Sequence, residues 1–172
     1  MTFRVLIVSG YSNAGKTTFT RWLARHGDLD LLDVDACGDD RQRLSLSELA
    51  ARTKPLVVDW PYNPEARWLG VVEALQSAGV TLWWFDADPA AARRSCAQRP
   101  EAAWHLRNFD HHTQIVEAQR DSVRQLYGPR RLLTLDAEGR RPSCGEILRA
   151  IREVDALPWL PAVSASEADP AR

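Results

Sequence analysis

The sequence predicts a single α/β domain, and three observations carry that expectation. Five short apolar, β-branched segments alternate with segments of helical periodicity, which is the signature of a parallel sheet covered on both faces. The first of them, Phe3–Ser9, runs straight into a glycine-rich turn and then a helical segment. The chain of 172 residues contains no internal repeat and no long linker, and a length of this order suits one core.

Along the chain, Phe3–Ser9 reads as a buried strand ending at Gly10. Lys16–Arg25 follows as a helix with Phe19, Trp22 and Leu23 on one face. Leu29–Val34 is a short second strand. Ser45 and Glu48 have capping-box spacing before a short helix, and Pro55–Trp60 is a third strand. Glu65–Ser77 places Trp68, Val71, Val72 and Leu75 at helical spacing, with Gly79 closing the helix. Val80–Asp86 is a fourth strand. Asp88-Pro89 reads as an N-cap and first helical residue, with the helix running to about Gln98. Pro100–Asn108 reads as irregular and basic, and Phe109–Tyr127 as one helix stopped by Gly128-Pro129. Arg131–Leu135 is a fifth strand, and a last helix starts at Pro142 or Ser143 and runs to about Val154. Residues 1–157 form the expected domain, and residues 158–172, rich in Ala, Ser, Pro and Glu, read as a loosely ordered tail.

Composition excludes several classes. The net charge of −1 supplies no global field for nucleic acid. The longest apolar runs, such as Val5–Val8 and Val80–Phe85, are too short to span a membrane, and the N-terminus lacks a signal-peptide pattern, so a cytoplasmic protein is expected. Cys37, Cys96 and Cys144 are widely spaced and form no CxxC or Cys/His metal pattern, which predicts buried thiols. His105, His111 and His112 likewise have no zinc-ligand spacing beyond adjacency.

Gly10-Tyr11-Ser12-Asn13-Ala14-Gly15-Lys16-Thr17 matches GxxxxGK[ST] in full. In such a loop the glycines let consecutive N–H groups turn inward onto phosphate oxygens, and the following helix directs its positive end at the same anion. The lysine reaches the β- and γ-phosphates and the threonine hydroxyl ligates Mg²⁺. Lys16 and Lys54 are the only lysines in an arginine-rich chain, so a lysine is kept where a compact ammonium is wanted. Gly10, Ser12, Asn13, Ala14, Gly15, Lys16, Thr17 and Thr18 are therefore the candidate nucleotide contacts, with ATP and Mg²⁺ the expected cofactors.

With this loop in place, the sequence resembles the small-molecule kinase branch of the P-loop fold, which includes shikimate, gluconate, adenylate and polynucleotide kinases. The resemblance implies a three-layer sandwich whose five-stranded parallel sheet has the order 2-3-1-4-5. It also implies an acceptor site beside the end of strand two and a short arginine-bearing lid after strand four.

Asp33 and Asp35 lie two apart at the end of the second strand and so share a face. They resemble the DxD of shikimate- and gluconate-kinase-like enzymes, which implies a base or orienting group for the acceptor hydroxyl; a polar turn with Asp39 and Asp40 is the other reading. Asp59 ends an apolar strand in the manner of a Walker B acid, and with Thr17 it forms the candidate Mg²⁺ pair. Arg93, Arg94, Arg99 and Arg107 cluster where the lid is implied. Arg99 and Arg107 are the candidate charge clamp, and Arg94 is a candidate nucleotide contact; a solvated basic face is the alternative. In the resembled kinases the position of residues 134–139 carries the loop that packs on the adenine; an ordinary surface loop is the other reading.

These readings predict an ATP-dependent transfer of the γ-phosphate to a hydroxyl of a small metabolite or nucleoside. A polynucleotide hydroxyl is the runner-up acceptor, and a regulatory nucleotide-binding module with weak turnover is the alternative class. No NKxD follows a later strand, as a GTPase requires, and the chain has no room for a motor's partner domains. The short stretch between Asp35 and strand three leaves the acceptor side open. Trp60 and Tyr62 either face that opening as an aromatic platform or pack against the short helix after Ser45.

Overall fold

The computed structural model describes residues 3–34, 45–100 and 102–162. Five strands, β1 (Val5–Gly10), β2 (Asp30–Asp33), β3 (Leu56–Asp59), β4 (Thr81–Ala87) and β5 (Arg131–Leu135), form one sheet in the order β2-β3-β1-β4-β5. Every pairing is parallel. All six residues of the central β1 are buried, which is why it reads as an unbroken apolar run with no alternation.

Helices cover both faces, as the alternation within β4 records. Trp83 and Phe85 point to one side. There, the Trp83 indole donates to Asp155 (2.8 Å), and Phe85 packs on Phe19 of α1 (Lys16–His26) with ring centroids 5.5 Å apart. Trp84 points to the other side and packs on Tyr127 of α6 (Arg120–Tyr127), 5.6 Å away. α1 and α7 (Cys144–Val154) pack together on the first face; α3 (Ala66–Ser77) and α6 pack together on the second.

Local chemistry explains most of the boundaries. Pro89 opens α4 (Pro89–Ala97) while the Asp88 carboxylate accepts from the Ala91 N–H (2.9 Å). Gly79 adopts φ +89° after α3, so its N–H reaches Gln76 O and that of Val80 reaches Leu75 O, a Schellman closure. The capping box falls at α7: the Ser143 N–H donates to Glu146 Oε2 (2.7 Å), and the Glu146 N–H donates to Ser143 Oγ (3.3 Å). No such box forms before the five-residue α2 (Leu46–Ala50), where Ser45 Oγ instead bonds Ser47 Oγ (2.7 Å).

Residues 102–108, expected to be irregular, are the first two turns of α5 (Ala102–Ala118), and the helix expected over Phe109–Tyr127 is divided between α5 and α6. Pro100 marks the helix entrance and leaves its body intact, because a proline at the start removes no intrahelical bond. The division falls at Gln119 (φ −108°, ψ 13°), whose N–H is shared between the Ile115 and Val116 carbonyls. Cys96 and Cys144 are buried as expected, and Cys37 lies outside the described residues. Past α7, Leu160 is buried and Arg152 donates to the carbonyls of Leu160 (2.8 Å) and Pro161 (2.7 Å). Among the described residues, no helix is long and apolar enough to cross a membrane.

Candidate active site

The loop between β1 and α1 is fixed by its backbone. Gly10 has φ +140°, and a Cβ there would lie 2.2 Å from the Phe85 carbonyl oxygen of β4, so only glycine fits. Asn13 (φ +64°) and Gly15 (φ +84°) complete the turn in left-handed conformations and open the N-terminus of α1 toward the loop. The loop is anchored from outside: the Tyr11 N–H donates to Phe85 O (2.8 Å), and Thr134 Oγ1 of β5 donates to Ala14 O (2.6 Å). The Lys16 ammonium is buried and donates to the carbonyls of Gly10 (3.1 Å) and Tyr11 (2.8 Å).

Sheet order brings the acids to the loop. Asp59 is level with Val8 of β1 and is buried, and Thr17 Oγ1 donates to Asp59 Oδ2 at 2.5 Å. Two hard oxygen donors thus converge at the helix start, which suits Mg²⁺. No group of three or more His, Cys, Asp or Glu side chains forms a metal cage among the described residues, and Mg²⁺ needs none because it keeps waters and phosphate oxygens as ligands. Asp33 stands beside Asp59 in the β2–β3 register and accepts from Arg21 of α1 (3.1 Å). Asp35 lies outside the described residues.

The arginines separate into different duties. Arg93 pairs with Asp110 (3.0 Å) and ties α4 to α5. Arg94 donates to Ala137 O (2.8 Å), which joins α4 to the turn after β5. Arg99 lines a 180 Å³ cavity over the loop together with Asn13, Gly15, Lys16, Thr17 and Asp59. Arg107 is exposed on α5 and lines neither this cavity nor the larger one described next.

Sequence reasoning missed Arg141. It donates to Asn13 O (2.7 Å) from the loop before α7 and reaches within 3.3 Å of where a Cβ on Gly15 would stand. Desolvation, and then the positive charge of Arg99, hold its pKa below the usual guanidinium range. Two guanidiniums and an ammonium therefore meet around one helix N-terminus, an electrostatic arrangement that favours a polyanion. An arginine in a turn of this arginine-rich chain carries no sequence signal of that position.

A second cavity of 320 Å³ adjoins the first and shares Ser12, Lys16 and Pro61 with it. Its walls come from the loop after β3 (Trp60, Tyr62, Asn63), from α3 (Arg67, Trp68) and from α5 (Asn108, His111, His112). Trp60 and Tyr62 are buried, with ring centroids 4.6 Å apart. They pack on Trp68 of α3, Trp84 of β4 and Tyr127 of α6, and they line the cavity as well. Burial, then the repulsion with Tyr127 and the hydrogen bond to it, push the Tyr62 hydroxyl pKa up, so it stays neutral.

His112 is the other residue that sequence reasoning set aside. Its Nδ1 meets Asn63 Oδ1 at 2.7 Å, and its Nε2 is buried with no hydrogen-bond partner among the described residues. Burial first, then the charge of Lys16, then His111, lower its pKa to about 3. The signal was the spacing of Asn108, His111 and His112 at i, i+3 and i+4, which shares a helix face only if the helix already includes residue 108.

No protein-family model and no curated protein matches the sequence. Among solved structures, a shikimate kinase from Bacteroides thetaiotaomicron superposes with a TM-score of 0.53 at 16% identity, covering 87% of this chain and 97% of that one. A gluconokinase from Sinorhizobium meliloti 1021 gives 0.50 at 14% identity over 87% and 90%. A shikimate kinase from Acinetobacter baumannii in complex with shikimate gives 0.50 at 17% identity over 89% and 93%. The chain has the fold of the P-loop small-molecule kinases, with the sheet order expected for it.

Proposed function

We propose that this protein is a P-loop kinase that moves the γ-phosphate of ATP to a hydroxyl of a small polar metabolite. The observation that carries the reading is the adjacency of two cavities, one over the phosphate loop and one walled by the loop after β3, α3 and α5, with Lys16 in both. A module that only binds nucleotide has no use for the second cavity. The solved structures with this fold include kinases whose names specify small polyhydroxylated acids, which supports a metabolite acceptor. Neither they nor the net charge of −1 supports a polynucleotide acceptor.

In this reading the N–H groups of residues 12–18 cradle the β- and γ-phosphates, and Lys16 exchanges its two carbonyl partners for phosphate oxygens. Thr17 and Asp59 would hold Mg²⁺, which neutralises charge as the γ-phosphate leaves. Arg99, at the cavity wall after α4, and Arg141, from the loop before α7, clamp the phosphates, and Arg94 braces the turn after β5 against α4. Asp33, held by Arg21 next to Asp59, stands on the metal side of the loop; an acceptor role for Asp35 needs it to reach the second cavity, and a clamp role for Arg107 needs it to reach the first.

The test is transfer of labelled γ-phosphate from MgATP to shikimate, D-gluconate, hexoses, nucleosides and hydroxyl-terminated DNA, with Lys16→Ala as control. Acceptor-dependent labelling of a small molecule that vanishes in Lys16→Ala is the expected result. Nucleotide binding without transfer to any of these acceptors would replace the kinase with a regulatory module.

A further inference from the structure

We infer that His112 is the residue that receives the acceptor hydroxyl, with Asn63 as the positioning residue that presents its Nε2 as a lone pair; this rests on the kinase reading above. The geometry supplies the case. The Asn63 carboxamide oxygen accepts from the ring at 2.7 Å, so the proton sits on Nδ1 and Nε2 is left as an acceptor. Nε2 is buried and no described residue donates to it. A buried acceptor without a donor costs stability, and proteins keep such groups where something else supplies the donor. The residue is part of the wall of the second cavity, which Trp60 and the Lys16 that serves the phosphate loop also line.

A hydroxyl is the ligand group that fits, since it donates one proton and presents a nucleophilic oxygen. In the transfer, the acceptor oxygen forms a bond to the γ-phosphorus while the bond from that phosphorus to the β–γ bridging oxygen breaks, and its electron pair leaves with ADP. The hydroxyl proton passes to Nε2, giving an imidazolium that returns the proton to solvent when product leaves. Such a transition state is loose, so the nucleophile is not required to lose its proton early; a neutral imidazole that holds the hydroxyl in line meets the need. The groups around the ring set its basicity: Lys16 and His111 act on it by charge, the Tyr11 ring meets it edge-on at 6.0 Å, and Asn63 holds Nδ1. Burial and the Lys16 charge keep the imidazole neutral before nucleotide binds, and phosphate bound to Lys16 then offsets that charge as the proton arrives. Nε2 is shielded from bulk water, so a hydroxyl that donates to it makes a dry and strong contact.

The test uses the full chain with His112→Gln, Asn63→Leu and Asn63→Asp. His112→Gln should retain the wild-type affinity for MgAMP-PNP and its circular dichroism, yet lose about a hundredfold in acceptor-dependent kcat, the scale of a lost general base. Asn63→Leu should lower kcat, and Asn63→Asp, which still accepts from Nδ1, should restore it and move the acidic limb of the pH–rate profile upward. Wild-type kcat in His112→Gln, or a pH profile indifferent to Asn63→Asp, overturns the assignment. A separate readout covers failure of the kinase reading itself. With ¹⁵N-histidine-labelled protein and MgAMP-PNP, adding shikimate or D-gluconate should shift the unprotonated Nε2 resonance of His112. A shift without any phosphate transfer keeps the hydroxyl site and removes the kinase; no shift and no transfer removes both.

Discussion

Acidification should unfold this protein partly through one imidazole. Below about pH 6.5, the ordinary histidine value, an unfolded chain takes up a proton at His112. The native chain refuses it until about pH 3, because burial and then the Lys16 charge oppose an imidazolium. The unfolded state therefore binds more protons across that window, and stability falls as pH falls through it. One differential proton is worth about 1.4 kcal/mol per pH unit. Between about pH 6.5 and 4.5 the loss reaches roughly 2–3 kcal/mol, a large share of the ~5–15 kcal/mol that holds a domain of this size. The neighbouring Tyr11 hydroxyl, raised chiefly by burial, stays neutral throughout the window. The assay is urea unfolding of wild type and His112→Gln at several pH values from neutral to about 4.5. Glutamine cannot titrate, so its curve of stability against pH should be flatter by about 1.4 kcal/mol per unit, whatever constant offset the lost Asn63 bond adds. Parallel curves for the two proteins would refute the burial argument.

Three further outcomes follow from named contacts. Asp59→Asn should raise the Mg²⁺ concentration needed for tight ATP-analogue binding while Mg²⁺-free binding changes little, and an unaltered Mg²⁺ titration would remove Asp59 from the metal pair. Arg141→Ala should weaken nucleotide binding by about tenfold, the worth of one charge-assisted contact, and unchanged affinity would leave Arg141 as a structural brace on Asn13. Asp155→Ala strips the acceptor from the buried Trp83 indole and from Arg130, which meets it at 2.7 Å, so urea unfolding should show a loss of about 3–5 kcal/mol; a loss under about 1 kcal/mol would mean the site refills with water.

How much the sequence foretold depends on where each constraint lives. The loop was legible because its demands are local: Gly10 must clear the Phe85 carbonyl, Gly15 must turn left-handed, and Lys16 must follow it. The strands were legible because parallel burial removes polar residues from both faces of β1, β3 and β4. Their order came from the resemblance, since nothing in a strand's own residues names its neighbour. The start of α5 was hidden by composition. Arg99, Pro100 and Arg107 look like a loop, and Trp104 stays 60% exposed, so the apolar stripe begins only near Leu106 and Phe109. Its separation from α6 at Gln119 uses neither glycine nor proline and leaves no mark. That one misreading concealed the cavity wall, because Asn108 and His111–His112 join one face only on a continuous helix. Arg141 was hidden differently: its meaning comes from a contact 128 positions away.

The two cavities are coupled through Lys16, and this has a consequence for the order of events. Its ammonium is satisfied by the carbonyls of Gly10 and Tyr11, two neutral acceptors, and a phosphate oxygen is a stronger partner than either. Nucleotide binding therefore draws Lys16 toward the phosphate. The same charge is the second largest influence holding the His112 imidazole neutral, after burial. A phosphate beside Lys16 offsets that influence and makes Nε2 a better proton acceptor at the moment phosphate is in place. An acceptor that arrives first meets a poorer base, because the Lys16 charge still acts on the ring. Proton transfer to Nε2 is then favoured once nucleotide is in place, on electrostatic grounds. The size of the preference is set by the distance from Nζ to the imidazole and by how little water lies between them.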